Sequence, residues 1–155
     1  MLEKILKHNR ITFLYKTPHG RNMCYLLVSI ISKYFNNVME FNNDYYDRNT
    51  IEDIIKLSNN DNVIFIKDNF RLFSIKNNRY ESIIDIYKLK NFINITDIGT
   101  SASTFYVSDL VISVKDSIFT IEKIRYCSIP NINHFSLDDI KMDERKLKIK
   151  KLWVV

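Results

Sequence analysis

Short, dense apolar runs alternate along this chain with polar stretches, and their lengths and spacings predict its elements. Arg10 to Tyr15 is an unbroken β-branched and aromatic run, as expected of a parallel strand buried on both faces. A turn-like break, Lys16 to Asn22, contains Pro18 and Gly20. Met23 to Phe35 follows as a largely apolar helix. Asn37 to Phe41 reads as a second strand, and Asn42 to Arg48 as a polar loop. Thr50 and Asp53 have the spacing of a capping box and open a helix to about Leu57, stopped by Ser58-Asn59-Asn60-Asp61-Asn62. Val63 to Ile66 is a third strand, with Phe70 to Ile75 as a short extension.

The second half continues in the same manner. Ile83, Ile84, Tyr87 and Leu89 form an apolar stripe that predicts a helix from Tyr80 to Phe92. Ile93 to Ile98 is a fourth strand, and Gly99 to Ser103 a loop of small residues. Asp109 to Val114 and Ser117 to Arg125 predict an antiparallel hairpin turning at Lys115-Asp116. Ser136 and Asp139 form a second capping-box pair at the start of a charged helix. Strands alternating with helices and closing on a hairpin imply a single α/β domain with a mostly parallel sheet and an antiparallel edge. The basic segment 136–155 completes it.

Composition narrows the class. A chain of 155 residues with 46% hydrophobic and 26% charged residues folds around its own core. Abundant Asn, Ile and Lys match an A+T-rich genome such as that of a phage, a virus or a parasite. The net charge of +5 suits an acidic partner, nucleic acid among them. Cys24 and Cys127 sit in apolar runs and are expected to be buried thiols in a reducing compartment. The longest apolar stretch, Met23 to Ile31, is too short to span a bilayer, so no membrane role is expected. The expected location is intracellular, cytoplasmic or nuclear, including an infected host cell.

The break after the first strand is where open α/β sheets bind ligands. In P-loop enzymes it reads Gly-x-x-x-x-Gly-Lys-Ser/Thr, with backbone amides around phosphate, Lys neutralising it and a hydroxyl on Mg²⁺. Here Lys16-Thr17-Pro18-His19-Gly20-Arg21-Asn22-Met23 occupies that place. Placed by its strand and its proline, the segment resembles the phosphate loop of RecA-type ATPases, in particular DnaB-type helicases. Lys16 and Arg21 fall at the glycine positions, Asn22 at the lysine and Met23 at the hydroxyl. Asn brings no charge and Met no oxygen for a metal, and the lost glycines close off left-handed backbone.

A second likeness lies downstream. Ser108-Asp109-Leu110-Val111-Ile112-Ser113-Val114 resembles a strand of DnaB- and RadA-type proteins, and Phe119 to Tyr126 resembles the strand after it, with its Lys-x-Arg pair. The resemblance implies a three-layer RecA-like fold, truncated, and assigns Lys123 and Arg125 as a cationic finger reaching a neighbouring subunit's ATP. Asp44 and Asp68 are candidate residual acidic positions, standing near the family's catalytic Glu and its Walker B carboxylate. Together these features imply a pseudo-ATPase that works by contact in DNA replication or recombination. Its expected partners are a RecA-fold ATPase or further copies of itself, and DNA. No cofactor is expected of such a chain, and hydrolysis is not.

Two other readings stand beside this one. A DNA-binding module would use the basic C-terminal segment, where Lys146, Lys148, Lys150 and Lys151 would touch phosphates and Trp153 would stack on a base. A nucleotide enzyme with an atypical loop would bind ATP and Mg²⁺. His8, His19 and His134 lack metal-ligand spacing with either Cys, so no metal site is expected. The chain has neither the nucleophile elbow nor, with two glycines in all, the dinucleotide fingerprint.

Overall fold

The computed structural model describes residues 1–40, 48–67, 71–74, 79–82, 88–100, 102–125 and 128–153. Of these, residues 48–51, 71–74, 79–82, 100, 102–104 and 150–153 are described by their backbone alone. Strand β1 (Arg10–Tyr15) is the frame on which the rest is built. Its neighbours are β6 (Phe92–Asp97) and β7 (Leu110–Lys115), both parallel to it. Strand β3 (Val63–Lys67) lies outside β6, and β2 (Val38–Glu40) forms that edge. On the other side β8 (Ile118–Ile124) pairs antiparallel with β7, and β9 (His134–Phe135) with β8. The seven-stranded order is thus β2-β3-β6-β1-β7-β8-β9, mostly parallel with an antiparallel C-terminal pair. A separate hairpin joins β4 (Arg71–Ser74) to β5 (Arg79–Ser82).

Side chains alternate across the sheet, and both faces are covered. Ile11, Phe13, Val63, Phe65, Ile93, Ile95, Leu110 and Ile112 share one face. They pack with α1 (Leu2–Leu6), α2 (Pro18–Ile31) and α5 (Leu137–Trp153) through Leu2, Ile5, Cys24, Leu27, Val28, Ile31 and Ile140. Ile64, Ile66 and Phe92 face the other way, toward Ile54 and Leu57 of α3 (Arg48–Asn59) and Val107 of α4 (Ala102–Val107). That second face is polar at its middle. Thr12, Asn94, Thr96 and Ser108 are fully buried there. Thr12 and Ser108 join their hydroxyls at 2.7 Å, which gives each a partner.

Several boundaries differ from the sequence expectation. Helix α2 begins at Pro18, five residues before the expected Met23, because Thr17 accepts the Gly20 amide and Pro18 suits the first helical position. It ends at Ile31, and a 3₁₀ turn, Ser32–Tyr34, finishes the expected run. Helix α3 starts at Arg48, which places Thr50 inside the first turn instead of at its cap. Tyr80 belongs to β5, opposite Phe73, and Phe92 opens β6, so both ends of the expected helix Tyr80 to Phe92 are strand. Residues 83–87 between them lie outside the described residues. The β7–β8 turn is centred on Asp116 and Ser117, both with positive φ, one residue later than expected. Two positive-φ residues are what a two-residue hairpin needs to follow the strands' twist.

Phe13 has no exposed surface and lies at the centre of the sheet. Phe13→Ala is expected to cost about 3–5 kcal/mol, read as a lower urea midpoint. Leu26, on the outer side of α2 and 53% exposed, should change stability by no more than about 0.5 kcal/mol when replaced by Ala.

Candidate functional site

The chain leaves β1 and β6 in opposite directions. After β1 it enters α2 on the first face, and after β6 it passes through a 3₁₀ turn, Ile98–Thr100, into α4 on the second. The adjacent strand ends, Tyr15 opposite Asp97, therefore form a switch point at the C-terminal edge of the sheet. Lys16 and Thr17 alone connect β1 to α2. Pro18 brings no N–H, the Gly20 amide donates to Thr17 Oγ1 at 3.0 Å, and the Arg21 amide donates to the Thr17 carbonyl at 3.0 Å. Thr17 thus caps the start of α2. Gly20 serves packing: a Cβ there would stand 3.1 Å from Val114 Cγ1 and 3.3 Å from Thr17 Oγ1.

The remaining residues of the candidate loop have contacts of their own. His19 Nε2 and Ser117 Oγ lie 2.8 Å apart, tying α2 to the β7–β8 turn. Arg21 stacks over the Tyr25 ring at 5.5 Å. Asn22 is exposed, and Met23 is half-buried against the first-face core. At the same edge Lys67 pairs with Glu40 at 2.8 Å and stands 5.1 Å from the Tyr25 ring centre. Burial works against the Lys67 ammonium, but the Glu40 carboxylate and Tyr25 more than offset it, and its pKa lies above the usual lysine value. Asp97 accepts the Gly99 amide at 2.7 Å. This carboxylate at the switch point escaped the reading of the motifs, although its place just before Gly99 at a strand end was the available signal. Asp44 and Asp68 lie outside the described residues.

Lys123 and Arg125 both lie at the opposite edge, and each reaches a different partner. Strand β8 ends at Ile124, and an irregularity in its pairing with β7 falls between Val111 and Ile112. Lys123 Nζ donates to the carbonyls of Phe105 at 2.7 Å and Tyr106 at 3.2 Å, so it caps the C-terminal end of α4. It also lies 5.3 Å from the Phe105 ring centre. Arg125 Nη1 is 3.4 Å from Asp109 Oδ1, and Arg10 Nη2 is 3.2 Å from that same oxygen. Burial lowers the Lys123 pKa, and the charges of Arg125 and Arg10 lower it further against the pull of Asp109. His8 is likewise lowered by burial, with Asp109 opposing.

On α5 the expected capping box is formed: Ser136 N donates to Asp139 Oδ2 at 2.8 Å, and Asp139 N to Ser136 Oγ at 3.3 Å. Lys146 and Lys148 are exposed on this helix. Lys150, Lys151 and Trp153 continue its backbone, and their side chains lie outside the description.

No protein-family model, no curated protein and no solved structure matches this chain. Among the described residues no group of His, Cys, Asp and Glu is placed to hold a metal ion, and no helix is long and apolar enough to cross a membrane.

Asp109 sits between two guanidiniums with a third cation close by. Asp109→Asn should destabilise the fold by about 1–3 kcal/mol, and the loss should shrink in high salt as the exposed cations are screened. Urea unfolding at low and high sodium chloride checks both. Cys24 is fully buried, and desolvation pushes its thiol up to about 12. In a Cys127→Ser background, Cys24 should therefore resist a disulfide reagent near pH 8 until denaturant is added.

Proposed function

We propose that this chain is a catalytically inactive RecA-like domain, acting as a binding or regulatory subunit through contact with a RecA-fold ATPase in DNA replication or recombination. The observation that carries this reading is the two-residue connection between β1 and α2. It stands at the end of a central strand, at the switch point, where a phosphate loop would stand. The mostly parallel sheet, with helices on both faces and an antiparallel C-terminal pair, supports the RecA-like assignment.

The case against hydrolysis is local. Phosphate needs several backbone amides converging on it, and here Thr17 takes two of those at the helix start. Charge neutralisation needs a cation at the place of Asn22. A metal needs an oxygen at the place of Met23, whose thioether packs toward the core. Contact remains as a mode of action, and Lys123 and Arg125 are the cations best grouped to approach a partner's phosphates.

Calorimetric titration with ATP and Mg²⁺ is expected to give no binding heat at micromolar to millimolar nucleotide. Mixing with RecA-fold ATPases from the same source is expected to yield a complex whose turnover differs from that of the ATPase alone. Saturable ATP binding with turnover by this chain would contradict the reading. So would a full set of such ATPases showing neither a complex nor a changed rate.

A further inference from the structure

The charges of this molecule are sorted between the two ends of its sheet. At the C-terminal edge Lys16, Arg21, Lys67 and Lys115 stand with Glu40, Asp97 and Asp116. The N-terminal edge is different. Strand β1 is entered through Lys7 and Arg10, and β6 through Lys88 and Lys90. Strand β8, running antiparallel, leaves at this edge through Lys123 and Arg125. Of the carboxylates there, Asp61 stands 3.5 Å from Lys90, and Asp109 joins Arg10 and Arg125. Glu122, next to Lys123, is turned to Ser113, 2.5 Å from its hydroxyl.

This basic edge also carries exposed aromatic surface. Helix α4 ends there, immediately before β7, and presents Tyr106 with 85% of its surface exposed and Phe105 beside it. Lys123 ties the two features together through the carbonyls of those same residues. Asp109 ties Arg10 to Arg125. The backbone is continuous beneath them, since the Asp109 amide donates to the Arg10 carbonyl and the Arg125 amide to the Asp109 carbonyl, each at 2.8 Å. Like charges held this close on a rigid sheet end, with one carboxylate among three cations, favour a polyanion. An uncovered tyrosine at their rim adds a surface for a flat ring. Cations that follow a phosphate backbone beside an aromatic that stacks a base are the two parts of single-strand recognition. A duplex keeps its bases stacked inside and has no use for Tyr106.

We propose that the N-terminal edge of the sheet, centred on Tyr106, Lys123, Arg125 and Arg10, is a binding site for single-stranded nucleic acid. Tyr106 stacks on a base, and the three cations take successive phosphates. The site lies at the opposite edge from the β1–α2 turn; it shares Lys123 and Arg125 with the partner contact proposed above, and nucleic-acid binding by this chain alone tests it apart from that reading.

The test is fluorescence anisotropy with a labelled oligothymidine, a labelled oligouridine and a labelled duplex, each at low and moderate salt. Binding to either single strand, tighter than to the duplex and falling with salt, is expected, and the tighter of the two names the sugar preferred. Tyr106→Ala should weaken binding roughly tenfold or more, while Tyr106→Trp keeps it. Arg125→Ala should lower the salt slope by about 1. Because Tyr106 is exposed, its removal leaves the fold intact, which circular dichroism verifies. Binding to no strand overturns the proposal. So does binding that ignores Tyr106→Ala, or binding lost only on Lys146→Ala with Lys148→Ala in α5.

Discussion

The structure depends on the double enclosure of β1. It has a parallel strand on each side and buried side chains on each face, with Ile11, Phe13 and Leu14 at most 4% exposed and Thr12 fully buried. A strand so enclosed is fixed in position and direction. Burial of its apolar side chains stabilises the sheet, and the buried Thr12 hydroxyl has to be paired, which Ser108 does. The enclosure also determines how the chain leaves. Helix α2 packs directly on the first face through Cys24, Leu27, Val28 and Ile31, so it starts close to the strand end. Two residues and a threonine cap fill the gap.

The same arrangement separates the two ends of the sheet chemically. At the C-terminal edge several polar groups are occupied with one another: Thr17 with the helix terminus, Asp97 with Gly99, His19 with Ser117, Lys67 with Glu40. At the N-terminal edge the cations outnumber the carboxylates, and three of them are drawn together by one aspartate and one short helix. The end of the sheet where open α/β proteins usually bind ligands thus has several of its polar groups paired with one another, while the other carries more of the positive charge and the exposed Tyr106.

Much of the frame was legible in the sequence. Continuous apolar runs such as Val63 to Ile66 can be accommodated only where both faces are covered, so they read as parallel strands. The hairpin before Arg125 was equally plain from its alternation, and Ser136 with Asp139 announced α5. What escaped detection was short or ambiguous. Helix α1 has five residues, α4 six and β9 two, all below the length at which periodicity can be recognised. Tyr80 stood at the start of an expected helix, and its pairing with Phe73 in a separate hairpin makes it strand. Within the candidate site, the spacing of Lys123 and Arg125 suggested one shared direction, whereas Lys123 reaches the end of α4 and Arg125 reaches Asp109. Their link to Asp109, Arg10 and the end of α4 is tertiary and left no local trace. Gly20 read as a loop glycine, yet its role is set by Val114, distant in sequence.

The proposed inactivity rests on the β1–α2 turn, where Thr17 caps the start of α2. Backbone amide resonances report this directly, since bound phosphate shifts the amides that contact it. Adding Mg²⁺ and a non-hydrolysable ATP analogue at millimolar concentration should leave the amides of Lys16, Thr17, His19, Gly20 and Arg21 in place. Saturable shifts confined to that turn would contradict the account.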